Sequence, residues 1–277
     1  MYRAHLRLEL ARQHPHPARV LTERDIEGLP PPVHRFIRRS DVLGRTHASN
    51  ARVVWRDMQL RESAHQAWMR VACEQVSFFG TPTRLALMRS HIAKVLPFSG
   101  YDSYRDGRGE MVINVAGIFN VGHASGPHMD ASALVTFLAE GMLMPFTLVH
   151  PHVHWSTLSH TSARATIHDG SVTVGGVFTF DDDRGRVRFE TNDRWREGTP
   201  GKFEPWSAEA SDYTWRHGTL VPSTVSARWH DSDGSFTYMR GSVESLTYDV
   251  TDTRTSIESR RQSGLSLRRS LDSLGGE

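Results

Sequence analysis

Between residues 171 and 180 every second side chain follows one rule: Val172, Val174, Phe178 and Phe180 alternate with Ser171, Thr173 and Thr179. That period of two belongs to a strand with one face buried and the other toward water. Such a strand needs neighbours on both edges, and the flanking sequence supplies them. Asp181, Asp182, Asp183, Arg184 and Gly185 make a turn, after which Val187 and Phe189 resume the alternation. Residues 222–229, a turn at Asp231 to Gly234 and residues 235–240 predict a second hairpin, and 243–250 a last strand. Toward the N-terminus, residues 52–60, 67–79, 85–96 and 110–121 read as further strands.

Two helices interrupt this pattern. The first begins at Pro30, Pro31 and Pro32, where a missing N–H is tolerated, and carries Val33, Phe36 and Ile37 at helical spacing with Gly44 beyond its end. A short turn capped by Thr22 precedes it. For the second, Asp130 is the predicted N-cap. Leu134, Phe137, Leu138, Gly141 and Met142 share a face, and Pro145 ends the helix. The expected fold is α+β: a strongly curved antiparallel sheet, an open or half-closed barrel, with two helices covering its concave side. Residues 1–21 are expected to form a flexible arm, broken by His14, Pro15, His16 and Pro17. Residues 22–252 make one domain, and 253–277, which lack any apolar period, a disordered polar tail.

Composition narrows the function classes. A formal net charge of +2 argues against a nucleic-acid binder, which needs concentrated cations. The one cysteine, Cys73, rules out an internal disulfide and reads as an inert buried thiol. The first twenty residues lack a signal-peptide core, and residues 131–149 are too interrupted by Glu140, Gly141 and Pro145 to cross a membrane, so a cytoplasmic protein is the expectation. No nucleophile elbow, P-loop, dinucleotide fingerprint, HExxH or CxxC is present in the sequence.

Read in order, several segments carry a resemblance. They are Leu29 to Val33 with Arg35 to Arg38, Gly100 to Tyr104 with Gly107 and Gly109, Phe137 to Glu140 with Met144 and Pro145, and Trp155. Gly218 to Pro222 with Trp229, and Tyr238 leading to Tyr248, complete them. Over residues 29–250 the chain resembles an uncharacterised bacterial family of unknown function. In shape the expected fold is similar to the half-barrels of bacterial lipoprotein carriers, which implies an apolar cavity. A membrane-anchoring segment upstream, frequent in similar proteins, is missing from this sequence. The histidines after the second helix are not something the resemblance implies.

Three groups of residues are chemical candidates. Glu140 borders the apolar helix face, where desolvation would raise its pKa and suit it to proton transfer, unless an arginine such as Arg164 or Arg194 pairs with it. Asp102 and Tyr104 are candidate polar groups at a cavity mouth and possible catalytic partners of Glu140. His150, His152 and His154 would share one face of an extended strand and could hold a divalent transition metal, with His123, His128 and Asp130 completing a site. Three ligands meet one ion there only if the strand bends at Pro151. Trp155, Phe137, Met142 and Trp229 are candidate ligand-lining residues. The expected function is binding of an apolar small molecule or acyl chain in the cavity, without a cofactor. The alternatives are a cofactor-independent isomerase, cyclase or hydrolase in the same cavity, or a metal-dependent protein. Ligand identity and oligomeric state are not legible.

Overall fold

A computed structural model of the chain describes residues 1–13, 19–40, 42–92, 96–116, 119–196, 201–216, 218–232 and 234–254. Helix α1 spans Tyr2–Arg12, α2 Glu23–Ile26 and α3 Pro31–Arg39. The first run of strands is β1 Asn50–Leu60, β2 Met69–Arg70, β3 Ala72–Phe78, β4 Thr83–Ile92, β5 Leu96–Arg105, β6 Arg108–Val115 and β7 Phe119–Ser125. Helix α4, Pro127–Ala139, follows, continued by two 3-10 turns at Glu140–Met142 and Pro145–Val149. The second run is β8 Val153–Thr157, β9 Ser162–Asp169, β10 Val172–Asp181, β11 Arg186–Thr191, β12 Trp195–Arg196, β13 Lys202–Phe203, β14 Trp206–Arg216, β15 Thr219–Asp231 and β16 Gly234–Tyr248.

Almost all the strands form one antiparallel sheet in the order β7-β6-β5-β4-β3-β1-β16-β15-β14-β11-β10-β9-β8. Each run is a meander of hairpins, and β1 joins β16 to fuse the two. The free edges are therefore β7 and β8, the strands on either side of α4 in the chain. The result is the expected curled half-barrel, and α4 sits in its concavity against β6 and β10. Helix α4 is apolar nearly all round, as a helix enclosed on several sides must be. Its residues Ala133, Leu134, Val135, Phe137 and Leu138 are buried. Helix α3 closes the same face, with Phe36 against Phe180 and Tyr213.

The alternation in β10 has the register read from the sequence: Val174, Phe178 and Phe180 are buried and Thr173 is exposed. Asp130 does not cap α4, whose N-cap is Gly126. Its Oδ1 instead accepts the Gly109 N–H at 2.7 Å and ties α4 to β6. Gly109 is required at that contact, because a Cβ there would lie 2.3 Å from the Met129 carbonyl oxygen. Residues 2–12 of the expected arm form α1, which packs on the convex face of the sheet. Tyr2 and Leu6 are buried there among Val76, Phe78, Leu85, Leu87 and Tyr101. Tyr2, Leu6 and Leu10 recur every four residues, a thin stripe among charged neighbours. His14 to Pro17, and the expected tail from residue 255, lie outside the described residues. No helix among the described residues is long and apolar enough to cross a membrane.

Candidate functional site

A cavity of about 200 Å³ lies between the concave sheet and the C-terminal end of α4. Its wall is apolar and unusually rich in methionine: Met58, Met88, Met111, Met142 and Met239 all face it. Methionine is flexible and polarisable and adapts to irregular contents. The space is left open because Ala86, Ala139, Ala208 and Ala227 line the same wall. Across the sheet Phe178 pairs Phe189, Phe189 pairs Ala208, and Ala208 pairs Ala227, so large inward rings give way to small side chains where the cavity begins.

Two irregularities aim side chains into it. Strand β1 carries an extra residue near Asp57, whose φ is 51°, so Trp55 and Met58 both face inward with Arg56 and Asp57 outside. In β16 the register shifts between the Ala227 and Arg228 pairings, and the consecutive Tyr238 and Met239 both reach the wall. Such bulges re-aim side chains that regular alternation would send apart.

One polar group is built into this apolar wall. Arg84, on β4, donates from Nε to Glu140 Oε1 at 2.9 Å and from Nη1 to Asp102 Oδ2 at 2.6 Å. Glu140 lies just past the end of α4, held by its carbonyl, which accepts the N–H groups of Leu143 and Met144. Asp102 pairs Ala86 across the strands, diagonal to Arg84. Gln75 faces the same space, its Oε1 accepting the Trp55 indole N–H at 3.0 Å. Among the described residues three buried polar atoms here have no well-aligned hydrogen-bond partner, Glu140 Oε2, Asp102 Oδ1 and Gln75 Nε2, although the Gln75 amide lies close enough to the Glu140 carboxyl to lower its pKa. Burial raises the Glu140 carboxyl above its ordinary range, and the Arg84 guanidinium only partly offsets this. Burial likewise pushes the Cys73 thiol up to about 12, so it faces the cavity as a neutral thiol.

The expected residues divide. Glu140, Asp102 and Met142 meet at the cavity. Tyr104 does not: it is fully buried, and its hydroxyl donates to Asp169 Oδ2 at 2.7 Å, away from the cavity wall. Phe137 is packed in the core, and Trp155 stands against Phe178 with its indole N–H on the Leu148 carbonyl. Trp229 stacks on Tyr238 behind the wall. The partner of Glu140 is Arg84, neither Arg164 nor Arg194. Arg164 is exposed on β9, whereas Arg194 binds the Ser132 carbonyl and Thr136 Oγ1 on α4. Arg84, Gln75 and the four methionines other than Met142 had no signal in the sequence beyond their residue types. Only pairing between distant strands brings them together.

The three histidines do not converge. His150 lies before β8, buried, with Nδ1 accepting the His152 N–H at 3.1 Å, while His152 and His154 are exposed. His154 leans on His168. His123 meets Glu110, and His128 stacks on Trp195. Among the described residues no group of three or more His, Cys, Asp or Glu side chains is arranged to hold a metal ion.

Comparison with curated proteins finds no match, and comparison with solved structures finds none. A family model matches residues 19–241, most of the chain, and the protein therefore belongs to that family, a Family of unknown function (DUF6544).

Proposed function

We infer that the protein binds a small apolar molecule in the concave cavity. The observation that carries this is an apolar space of about 200 Å³, walled by five methionines and roofed by α4, that the protein's own side chains leave unfilled. The volume narrows the ligand: an engineered cavity of about 150 Å³ holds one benzene molecule. The occupant is thus ring-sized or a short chain, and a long acyl chain could insert only its end. The test uses the methionines themselves. With ¹³C-labelled methionine methyl groups, titration of toluene should shift Met58, Met88, Met111, Met142 and Met239. Met1, Met69, Met129 and Met144, which do not line the cavity, should stay in place. Shifts confined to the second group would place binding elsewhere and overturn the assignment.

A second reading, acid–base catalysis in the same cavity, is favoured by Glu140. Its carboxyl is raised by burial, and among the described residues Oε2 has no well-aligned hydrogen-bond partner. Glu140→Gln keeps shape and hydrogen-bonding capacity while removing the titrating proton. Native mass spectrometry of freshly purified protein would report a bound organic molecule, and chromatography of the released molecule before and after incubation would report its conversion, an isomerisation of unchanged mass included. Conversion by the wild type that persists in Glu140→Gln would exclude this carboxyl as the acid or base.

A further inference from the structure

Taking the cavity to be a binding site, as inferred above, we propose that its occupant is an uncharged molecule carrying a hydroxyl group, seated between Gln75, Glu140 and Asp102. Four ionisable side chains with opposed charges line the space: Arg84 and Arg194 against Glu140 and Asp102. Their formal charges cancel, so the cavity offers no net charge to an ion that must leave water to enter it. Arg84 already gives Nε to one carboxylate and Nη1 to the other, so its charge is balanced by both neighbours. Arg194 retains an unpartnered Nε, but its guanidinium lies over the Trp206 ring at 4.6 Å and is tied through Nη1 to α4.

The unpartnered atoms near Arg84 then select the head group. Among the described residues Gln75 Nε2 makes no well-aligned hydrogen bond, although its amide lies near enough to the Glu140 carboxyl to lower its pKa, and Glu140 Oε2 and Asp102 Oδ1 accept from no well-aligned donor. A hydroxyl has one hydrogen to give and lone pairs to receive. It can accept from Gln75 and donate to one carboxylate at the same time. A carboxylate ligand brings only acceptors toward two carboxylates. An ammonium brings only donors and leaves Gln75 unmet. A hydrocarbon satisfies none of the three, and buried polar atoms left unmet are costly. With the size limit from the cavity volume, the ligand class is a phenol or a short-chain alcohol.

The test ranks four probes of one shape on the wild-type protein by the methionine methyl shifts: 4-methylphenol, toluene, 4-methylbenzoate and 4-methylbenzylamine. A hydroxyl bonded to a carboxylate should make 4-methylphenol bind at least about tenfold tighter than toluene. Both ions should bind more weakly than the phenol. Gln75→Leu should lower the affinity for 4-methylphenol toward that for toluene while leaving toluene unchanged. The wild-type ranking stands by itself if that variant does not fold. Toluene or either ion binding as tightly as the phenol, with the cavity methionines shifting, would overturn the hydroxyl assignment and leave apolar binding intact. No shift of the cavity methionines with any probe would overturn both.

Discussion

Arg84 and Glu140 are partners in one ion pair, yet their removal has different expected consequences. Arg84 is what keeps two buried carboxylates compensated. Arg84→Met leaves both facing an apolar wall and should cost about 3–5 kcal/mol in urea unfolding at neutral pH. Glu140 is the opposite case, because burial raises its pKa despite Arg84. A carboxyl with a raised folded-state value contributes stability below its ordinary 4.5, and that contribution is lost as pH climbs through the folded-state value. At pH 7 Glu140→Gln should therefore melt no lower than wild type, Asp102 remaining as the partner of Arg84. A melting point several degrees lower would mean that the ion pair outweighs burial. His150 titrates with the other sign: burial lowers its ring to about 4 from the usual 6.5. The fold gains from a neutral His150 above 6.5 and loses that gain as pH falls toward 4, on the order of 3 kcal/mol in all. His150→Asn keeps an acceptor for the His152 N–H. Between pH 7 and pH 4.5 it should lose less stability than wild type, and equal losses would refute the assignment.

Strand β10 shows where local sequence suffices. Phe178 is fully buried between Trp155, Phe180 and Phe189, whereas the neighbouring Thr179 is only half-buried on the other face. Phe178→Ala should cost about 3–5 kcal/mol and Thr179→Ala under about 1 kcal/mol, measured by chemical denaturation. Strands β9 and β14 were illegible because small residues hold the middle of their inward rows. Ala163 and Ala165 on β9, and Ala208 and Ala210 on β14, are too small to write a hydrophobic alternation, and the single large inward residues Ile167 and Trp206 do not make one alone. Alanine is nonetheless what fits opposite Phe178 and Phe189 on a concave face. The bulges were equally hidden, since an inserted residue breaks the period that reveals a strand. Strand β16 read as two pieces because Gly241 and Ser242 interrupt its apolar pattern. At the site, Glu140 could be placed beside the apolar face from helical spacing alone. Its partner Arg84, 56 residues earlier, could not, because that contact depends on the pairing order of the whole sheet.

That order has an unusual property: the middle strand of the sheet is β16, the last one made, and it pairs with β1, the first. Contacts separated by nearly the whole domain are slow to form, since the chain must close its largest loop before they stabilise anything. The hydrophobic core needs this junction. Val243 and Leu246 of β16 are buried against β1, where Leu246 pairs Val53 and Val243 pairs Trp55 of the cavity wall. Asn50 locks the end of the ladder by accepting the Val250 N–H at 2.9 Å and donating to the Val250 carbonyl at 3.0 Å. Cutting the chain after Arg240 removes the partners of Ala51 to Arg56 and that lock together. At about 1.5–3 kcal/mol for each large apolar side chain exposed, plus the lost ladder, the deficit matches a typical domain's entire stability of about 5–15 kcal/mol. The truncated chain should therefore show no cooperative thermal transition. Cutting instead after Arg254 keeps β16, Val250 and the Arg52 contact with the Asp252 carbonyl, and removes only sequence without an apolar period. Its thermal midpoint should stay within about two degrees of the full chain. Differential scanning calorimetry of the two truncations beside the full chain decides the matter. A cooperative transition in the shorter one would mean that the two meanders fold without the strand that joins them.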